Sequence, residues 1–193
     1  MNGFYTDDEL AKLGLGKLGV NLKISRKASF HGAGNIEIGD NVRIDDFCVL
    51  SGKIVLGSHI HIGCHGILLG GTEGIYVNDF STTSFRVTVF ARSDDFSGET
   101  LTNPQVFNEF RHNTTEKAVY IGKHVVVGTG STVFPGVVLG EGVAVGAHSL
   151  VLKSTEPWGI YAGSPAKRLK ERSDKLLEQE KEFLTKWNSM DWR

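Results

Sequence analysis

Along residues 121–151 an aliphatic residue returns every six positions, at Ile121, Val127, Val133, Leu139, Val145 and Val151. A small or β-branched residue sits two places before each next one, at Val125, Ser131, Val137, Val143 and Ser149. A period of six excludes a helix face, which needs 3.6, and exceeds the two-residue alternation of an ordinary strand. It fits a short strand followed by a glycine-marked corner, three of which close one triangular coil of about 18 residues. Stacking such coils buries the aliphatic column in a shared core and leaves the small residue for the crowded corner.

The same beat runs through the N-terminal half. It starts imperfectly at Val20, Ile24 and Phe30, absorbs an excess at His31-Gly32-Ala33-Gly34, and settles at Ile38, Ile44, Leu50, Leu56, Ile62 and Leu68. Naming the three faces a, b and c, Ile38 and Leu56 anchor side a, Ile44 and Ile62 side b, and Leu50 and Leu68 side c. The next coil reads Val77, Thr83 and Val89, after a bulge at Gly70-Gly71-Thr72-Glu73-Gly74. An inward Thr83 requires a partner for its hydroxyl. After Val89 the beat breaks again into an excursion over residues 92–117, polar and far longer than an ordinary connection. Bulge and excursion leave the same edge of the prism, about one strand spacing (~4.8 Å) apart. A solenoid does not need such an arm to fold, so the arm is read as functional.

Around this repeat the chain divides into an N-terminal cap (1–19), an all-β solenoid (20–156) bearing the arm, and a tail (157–193). Thr6 and Glu9 form a capping-box pair for a short helix over residues 6–13. Residues 173–187 carry apolar positions at Leu176, Leu177, Phe183, Leu184 and Trp187 and predict an amphipathic helix starting at Ser173. The 24 glycines fit many corners, because 40% of residues are hydrophobic and the chain is not of disordered composition. With 21 basic and 22 acidic residues, no general field favours nucleic acid or a membrane surface. Cys48 and Cys64 are too few for a disulfide framework and are expected reduced and buried. Neither a signal peptide nor an apolar run of spanning length is present, which predicts a cytoplasmic protein.

The register over residues 20–151 resembles the left-handed parallel β-helix of the hexapeptide-repeat acyltransferases. The resemblance to the galactoside and maltose O-acetyltransferase type extends over residues 20–172. It implies an acetyltransferase that uses acetyl-CoA on a sugar or nucleotide-sugar, in a homotrimer whose arm helps to wall a site between subunits. The run Ser149-Leu-Val-Leu-Lys153 followed by Ala162-Gly163-Ser164-Pro165-Ala166-Lys167 resembles the family's coenzyme A element. By that resemblance Ala147 and Lys153 lie along the pantetheine and phosphate path, with Ala162 and Gly163 in the turn. Lys167, Arg168 and Lys170 then meet the nucleotide phosphates. Three cations within four residues, after a rigid turn, also make a local anion site on charge grounds alone.

At the position where those enzymes place a catalytic histidine, this sequence reads Ala91-Arg92-Ser93-Asp94-Asp95. A carboxylate of ordinary pKa is a weak base toward an alcohol near neutrality. Three solutions follow. His65, on the corner after side b, or His124, just beyond the arm, serves as base. Alternatively, Glu73 and Asp95 raise the pKa of Asp94 by like-charge repulsion. Otherwise the acceptor is an amine, as in family members of polysaccharide and nucleotide-sugar pathways that act on amino sugars. His31, His59, His61 and His148 read as ordinary outward polar positions, and His112 is a weaker candidate. The rivals are a γ-carbonic anhydrase-like metalloenzyme, which needs three converging histidines, and a non-catalytic scaffold. The expected site is Asp94 with His65 or His124, and no metal.

Overall fold

A computed structural model describes residues 3–192, so Met1 and Asn2 of the cap and Arg193 of the tail lie outside the described residues. Parallel strands stack into a left-handed β-solenoid of about 7 turns, with a helix at each end. The six-residue beat sets the register directly. On side a, Ile38 pairs with Leu56, Leu56 with Val77, Val77 with Ile121 and Ile121 with Leu139. Sides b and c stack in the same way through Ile44, Ile62, Thr83, Val127 and Val145, and through Leu50, Leu68, Val89, Val133 and Val151. These anchors point inward and form the one apolar core.

The arm leaves this ladder intact. Val133 pairs directly with Val89 and Ile121 with Val77, so residues 92–117 are inserted into a corner rather than into a coil. The bulge is accommodated differently. Strands Val49–Leu56 and Ile67–Val77 run together from side c round into side a, with register shifts that absorb the extra residues. Gly52 lies beneath this bulge at φ +81, where a Cβ would stand 2.7 Å from the Gly71 carbonyl oxygen. Glycine is therefore required there both for conformation and for space.

The stack is longer at both ends than the repeat predicts. Lys17–Leu18 is its first side a strand, paired with Glu37 and Ile38, whereas Val20 is exposed. After Pro157, Gly159–Ala162 adds another side b rung on Ala144 and Val145 and buries Tyr161. Tyr161 replaces the aliphatic anchor, which hides this rung from a search for aliphatic period. Lys167–Glu171 then folds back antiparallel as the sheet's last strand. At the N-terminus α1 (Asp7–Leu10) has the Thr6–Glu9 capping box and buries Leu10 on the open end. The C-terminal helix α2 spans Leu176–Asn188. It starts after Ser173, whose hydroxyl accepts from the Lys175 amide at 3.4 Å in the turn before it.

Cys48 is buried, donates to the Gly63 carbonyl at 3.2 Å, and has its thiol pushed by burial up to about 11. Cys64 differs from expectation: it is free but only half-buried, because it sits on the corner after side b rather than at an inward position.

Candidate active site

The arm rises from the edge between sides c and a. Arg92–Ser93 and Thr115–Glu116 form an antiparallel pair at its base, and the Lys117 amide donates to the Ala91 carbonyl at 2.9 Å. The bulge beneath is tied to it, since Thr72 Oγ1 donates to Glu116 Oε2 at 2.5 Å while Arg92 Nε lies 3.4 Å from Glu116 Oε1. Two interruptions of the sequence thus become one platform.

The two aspartates on this platform have separate tasks. Asp95 organises the loop: Oδ1 accepts from the Ser97 hydroxyl at 2.7 Å and amide at 2.8 Å, and Oδ2 accepts from the Thr100 amide at 3.0 Å. These bonds, the Ser97 hydroxyl foremost, hold its carboxyl down at about 2. Asp94 has looser partners, Arg111 Nη2 at 3.5 Å and the Asn103 amide at 3.4 Å, and 38% of its side chain is exposed. Asp95 is held in its charged state by local donors, and among the described residues no hydrogen bond or ion pair joins Glu73 to Asp94.

Asp94 opens into a cleft of about 330 Å³ between the arm base and the following coils, with Phe134, Pro135 and Leu152 as its far wall. The register explains that wall. Phe134 and Leu152 each follow an inward anchor, Val133 and Val151, and so emerge on the same edge. Neither residue, nor Arg111, stands out in the sequence, because an outward apolar residue or an arm cation becomes informative only once its edge is known.

The structure does not bring His65 and His124 to Asp94 within one chain. The three occupy three different edges of the prism. His65 is exposed on the edge between b and c, stacked on Phe47 at a centroid distance of 5.0 Å. His124 lies at the far end of side a from the arm, 4% exposed, with Nε2 2.8 Å from Glu180 Oε2 of α2. Although it follows the arm directly in sequence, His124 is thus held by α2 on a different edge from Asp94 of the same chain. His112 Nδ1 faces the Glu109 carbonyl at 3.3 Å. Among the described residues, no three His, Cys, Asp or Glu side chains converge so as to hold a metal ion. His59, His61 and His65 fall on an edge, a face and the next edge.

The residues expected to meet coenzyme A are divided between side b, where Lys167–Glu171 pairs with Gly159–Ala162, and the last strand of side c. Ala147 begins that side, and Lys153 follows Leu152 of the cleft wall. The turn at Gly163 is pinned alongside, with the Leu150 amide donating to the Gly163 carbonyl at 2.9 Å and the Gly163 amide donating to Ser149 Oγ at 3.1 Å. The basic trio is split, however. Lys167 stands opposite Ala162 and Lys170 opposite Ile160, on the outer face of the strand, whereas Arg168 stands opposite buried Tyr161. Arg168 Nη2 pairs with Glu171 at 2.8 Å, and that hydrogen bond raises its pKa. Arg168 is exposed like its neighbours but paired with Glu171, whereas among the described residues Lys167 and Lys170 make no ion pair.

A parallel hexapeptide-repeat solenoid with a short N-terminal helix and a C-terminal helix matches the class of left-handed β-helix acyltransferases. The chain belongs to the hexapeptide-repeat acyltransferases and is an acyl-CoA-dependent enzyme. It is 43% identical over 183 residues to a dTDP-4-amino-4,6-dideoxy-D-glucose acyltransferase of Escherichia coli, covering 93% of this chain and 94% of that one. Among solved structures, AntD, an N-acyltransferase from Bacillus cereus bound to dTDP and 3-hydroxybutyryl-CoA, superposes with a TM-score of 0.94. It is 48% identical, over 98% of this chain and 100% of that one. A maltose O-acetyltransferase from Clostridium difficile shares the fold at TM-score 0.58 and 19% identity, over 90% and 81% of the two chains. No protein-family model matches. No helix of the described residues is long and apolar enough to cross a membrane.

Proposed function

We propose that the chain N-acylates a dTDP-activated amino-deoxy-sugar, with acetyl-CoA as donor and Asp94 as the group that takes the proton from the attacking amine. The observation that carries this reading is the Asp94 carboxylate itself, half-exposed in a cleft whose wall leads to Lys153. A carboxylate suits an amine better than an alcohol. An amine is partly free base near neutrality and needs its ammonium form drained, whereas an alcohol needs a strong base. The arginine and amide near Asp94 leave its oxygens acceptor capacity for a substrate N–H.

In the reaction the amine nitrogen bonds to the thioester carbonyl carbon, and collapse of the tetrahedral intermediate breaks the C–S bond. The proton lost by nitrogen passes to Asp94 and the coenzyme A thiolate leaves. Lys153, Lys167 and Lys170 hold the donor's phosphates, with Ala147, Ala162 and Gly163 flanking its pantetheine. His65 is left as a candidate for acceptor contact from a neighbouring subunit rather than as a base beside Asp94.

The working unit in this reading is a homotrimer in the cytoplasm. Support comes from the arm, where Phe96, Leu101, Phe107 and Phe110 are exposed together and need cover. A sugar activated by dTDP is a donor for a glycosyl-transfer step, which fits surface-polysaccharide synthesis. The test is turnover of dTDP-4-amino-4,6-dideoxyglucose with acetyl-CoA, followed by thiol release. The expected product is an amide that survives mild base; a base-labile ester, or no turnover, overturns the proposal.

A further inference from the structure

The strand Lys167–Glu171 has exposed side chains throughout and a single neighbour, Gly159–Ala162, with a register shift between Ile160 and Tyr161. Such an edge strand has little packing of its own to hold two lysines in a fixed direction. Its N-terminal end is fastened to side c, where the Ala166 amide donates to the Leu150 carbonyl at 2.8 Å. The fastening at its other end is Arg172. The Arg172 amide donates to the Trp158 carbonyl at 2.7 Å. Its Nη1 donates to the carbonyls of His124 at 2.7 Å, Gly142 at 2.9 Å and Val143 at 3.4 Å.

Those carbonyls belong to two successive turns of the edge between sides a and b, so one guanidinium ties the strand to two coils. The same segment is held from above by Glu180 of α2, which pairs with Lys123 Nζ at 2.5 Å and His124 Nε2 at 2.8 Å. Glu180 is 9% exposed. A charge this enclosed is tolerated because both partners are in place. The arrangement is built for rigidity: a planar donor on backbone acceptors, a buried carboxylate held between Lys123 and the His124 ring, and between them the root of the basic strand.

We infer that Arg172 and Glu180 are positioning residues for the acyl donor: they fix the edge strand so that Lys167 and Lys170 are presented to the coenzyme A phosphates. The inference rests on the assignment of those lysines to the phosphates given above. Neither Arg172 nor Glu180 touches substrate; each acts through the strand.

The test separates positioning from folding by using acetyl-CoA and its 3′-dephospho analogue. In Arg172→Lys, which keeps the charge but draws the donor nitrogen back from the three carbonyls, KM for acetyl-CoA should rise about tenfold, with kcat and KM for the dTDP-sugar within about twofold. The preference for acetyl-CoA over the dephospho analogue should fall by the same factor. Glu180→Gln, the second variant should Arg172→Lys fold poorly, is expected to move the same quantities by a smaller factor. Combined with Lys170→Gln, either variant should be less than additive, because both remove one interaction. Unchanged donor KM in Lys170→Gln would remove the phosphate assignment and this inference with it. A raised KM there, with Arg172→Lys and Glu180→Gln affecting both substrates equally or only thermal stability, overturns the inference alone.

Discussion

Two edges of the same prism are built from the same repeat and end in opposite states. Along the edge between sides a and b, four successive corners carry side chains in the left-handed backbone region: Asn41 at φ +54, His59 at +59, Phe80 at +58 and His124 at +60. Non-glycine residues rarely adopt that conformation, and here cross-coil contacts offset its cost. Asn41 Nδ2 lies 2.9 Å from His59 Nδ1, His59 stacks on Phe80 at 4.5 Å, and Phe80 stacks on His124 at 5.4 Å. The coil spacing suits ring stacking, and Phe183 and Trp187 of α2 cover the ladder.

The edge between c and a instead uses glycine at several corners, including Gly32, Gly52 and Gly136, all at positive φ. It lets the bulge approach, carries the arm and keeps a cleft beside Asp94. One edge uses its corners for cohesion, and the other leaves them small so that the bulge and the arm can come close.

That contrast can be broken most sharply at Asp94. Asp94→Asn should lower kcat about a hundredfold or more with no shift in the unfolding midpoint, since its contacts in the arm are long. Equal losses of activity and stability would show the open edge to be structural after all. On the closed edge the signs reverse: Phe80→Ala should cost about 2 kcal/mol in denaturant unfolding through lost burial and stacking, with kcat unchanged.

A smaller test lies in the core between the edges. Thr83 is 1% exposed and its hydroxyl, turned inward as the repeat requires, has no partner. Thr83→Val should therefore stabilise the fold by about 1 kcal/mol, read as a rise in the unfolding midpoint. The smallest effect is in the arm. Because the folded Asp95 carboxyl is depressed from 3.8 to about 2, its contribution to arm order is complete above the unfolded value and is lost as pH falls through about 2. Protection factors of the Ser97 and Thr100 amides should hold down to about pH 4 and fall on further acidification toward about 2, whereas Asp95→Asn should lower them at every pH.

Much of this was legible in the residues. The hexad fixed which side chains face inward from Ile38 to Val151, and it placed bulge and arm on one edge, because a period of six leaves no freedom in assigning faces. The stack's true ends were not legible, since Leu18 and Tyr161 keep the geometry while departing from the regular aliphatic beat. Of the candidate site, Asp94 was singled out because it stands where the resembled family places its histidine. Its cleft was not, because Phe134 and Leu152 are distant in sequence and share an edge only after stacking.

The sequence by itself determined the solenoid, its register and the carboxylate on the arm, all of which follow from local period and corner chemistry. Only the tertiary structure decided which charged groups are available for chemistry. His124 and Arg168 look equivalent in sequence to His65 and Lys170, yet one is buried under α2 against Glu180 and the other, though exposed, is paired with Glu171. Availability depends on what packs over or pairs with a group, and neither the covering helix nor the pairing on a folded-back strand is encoded in the period of the repeat.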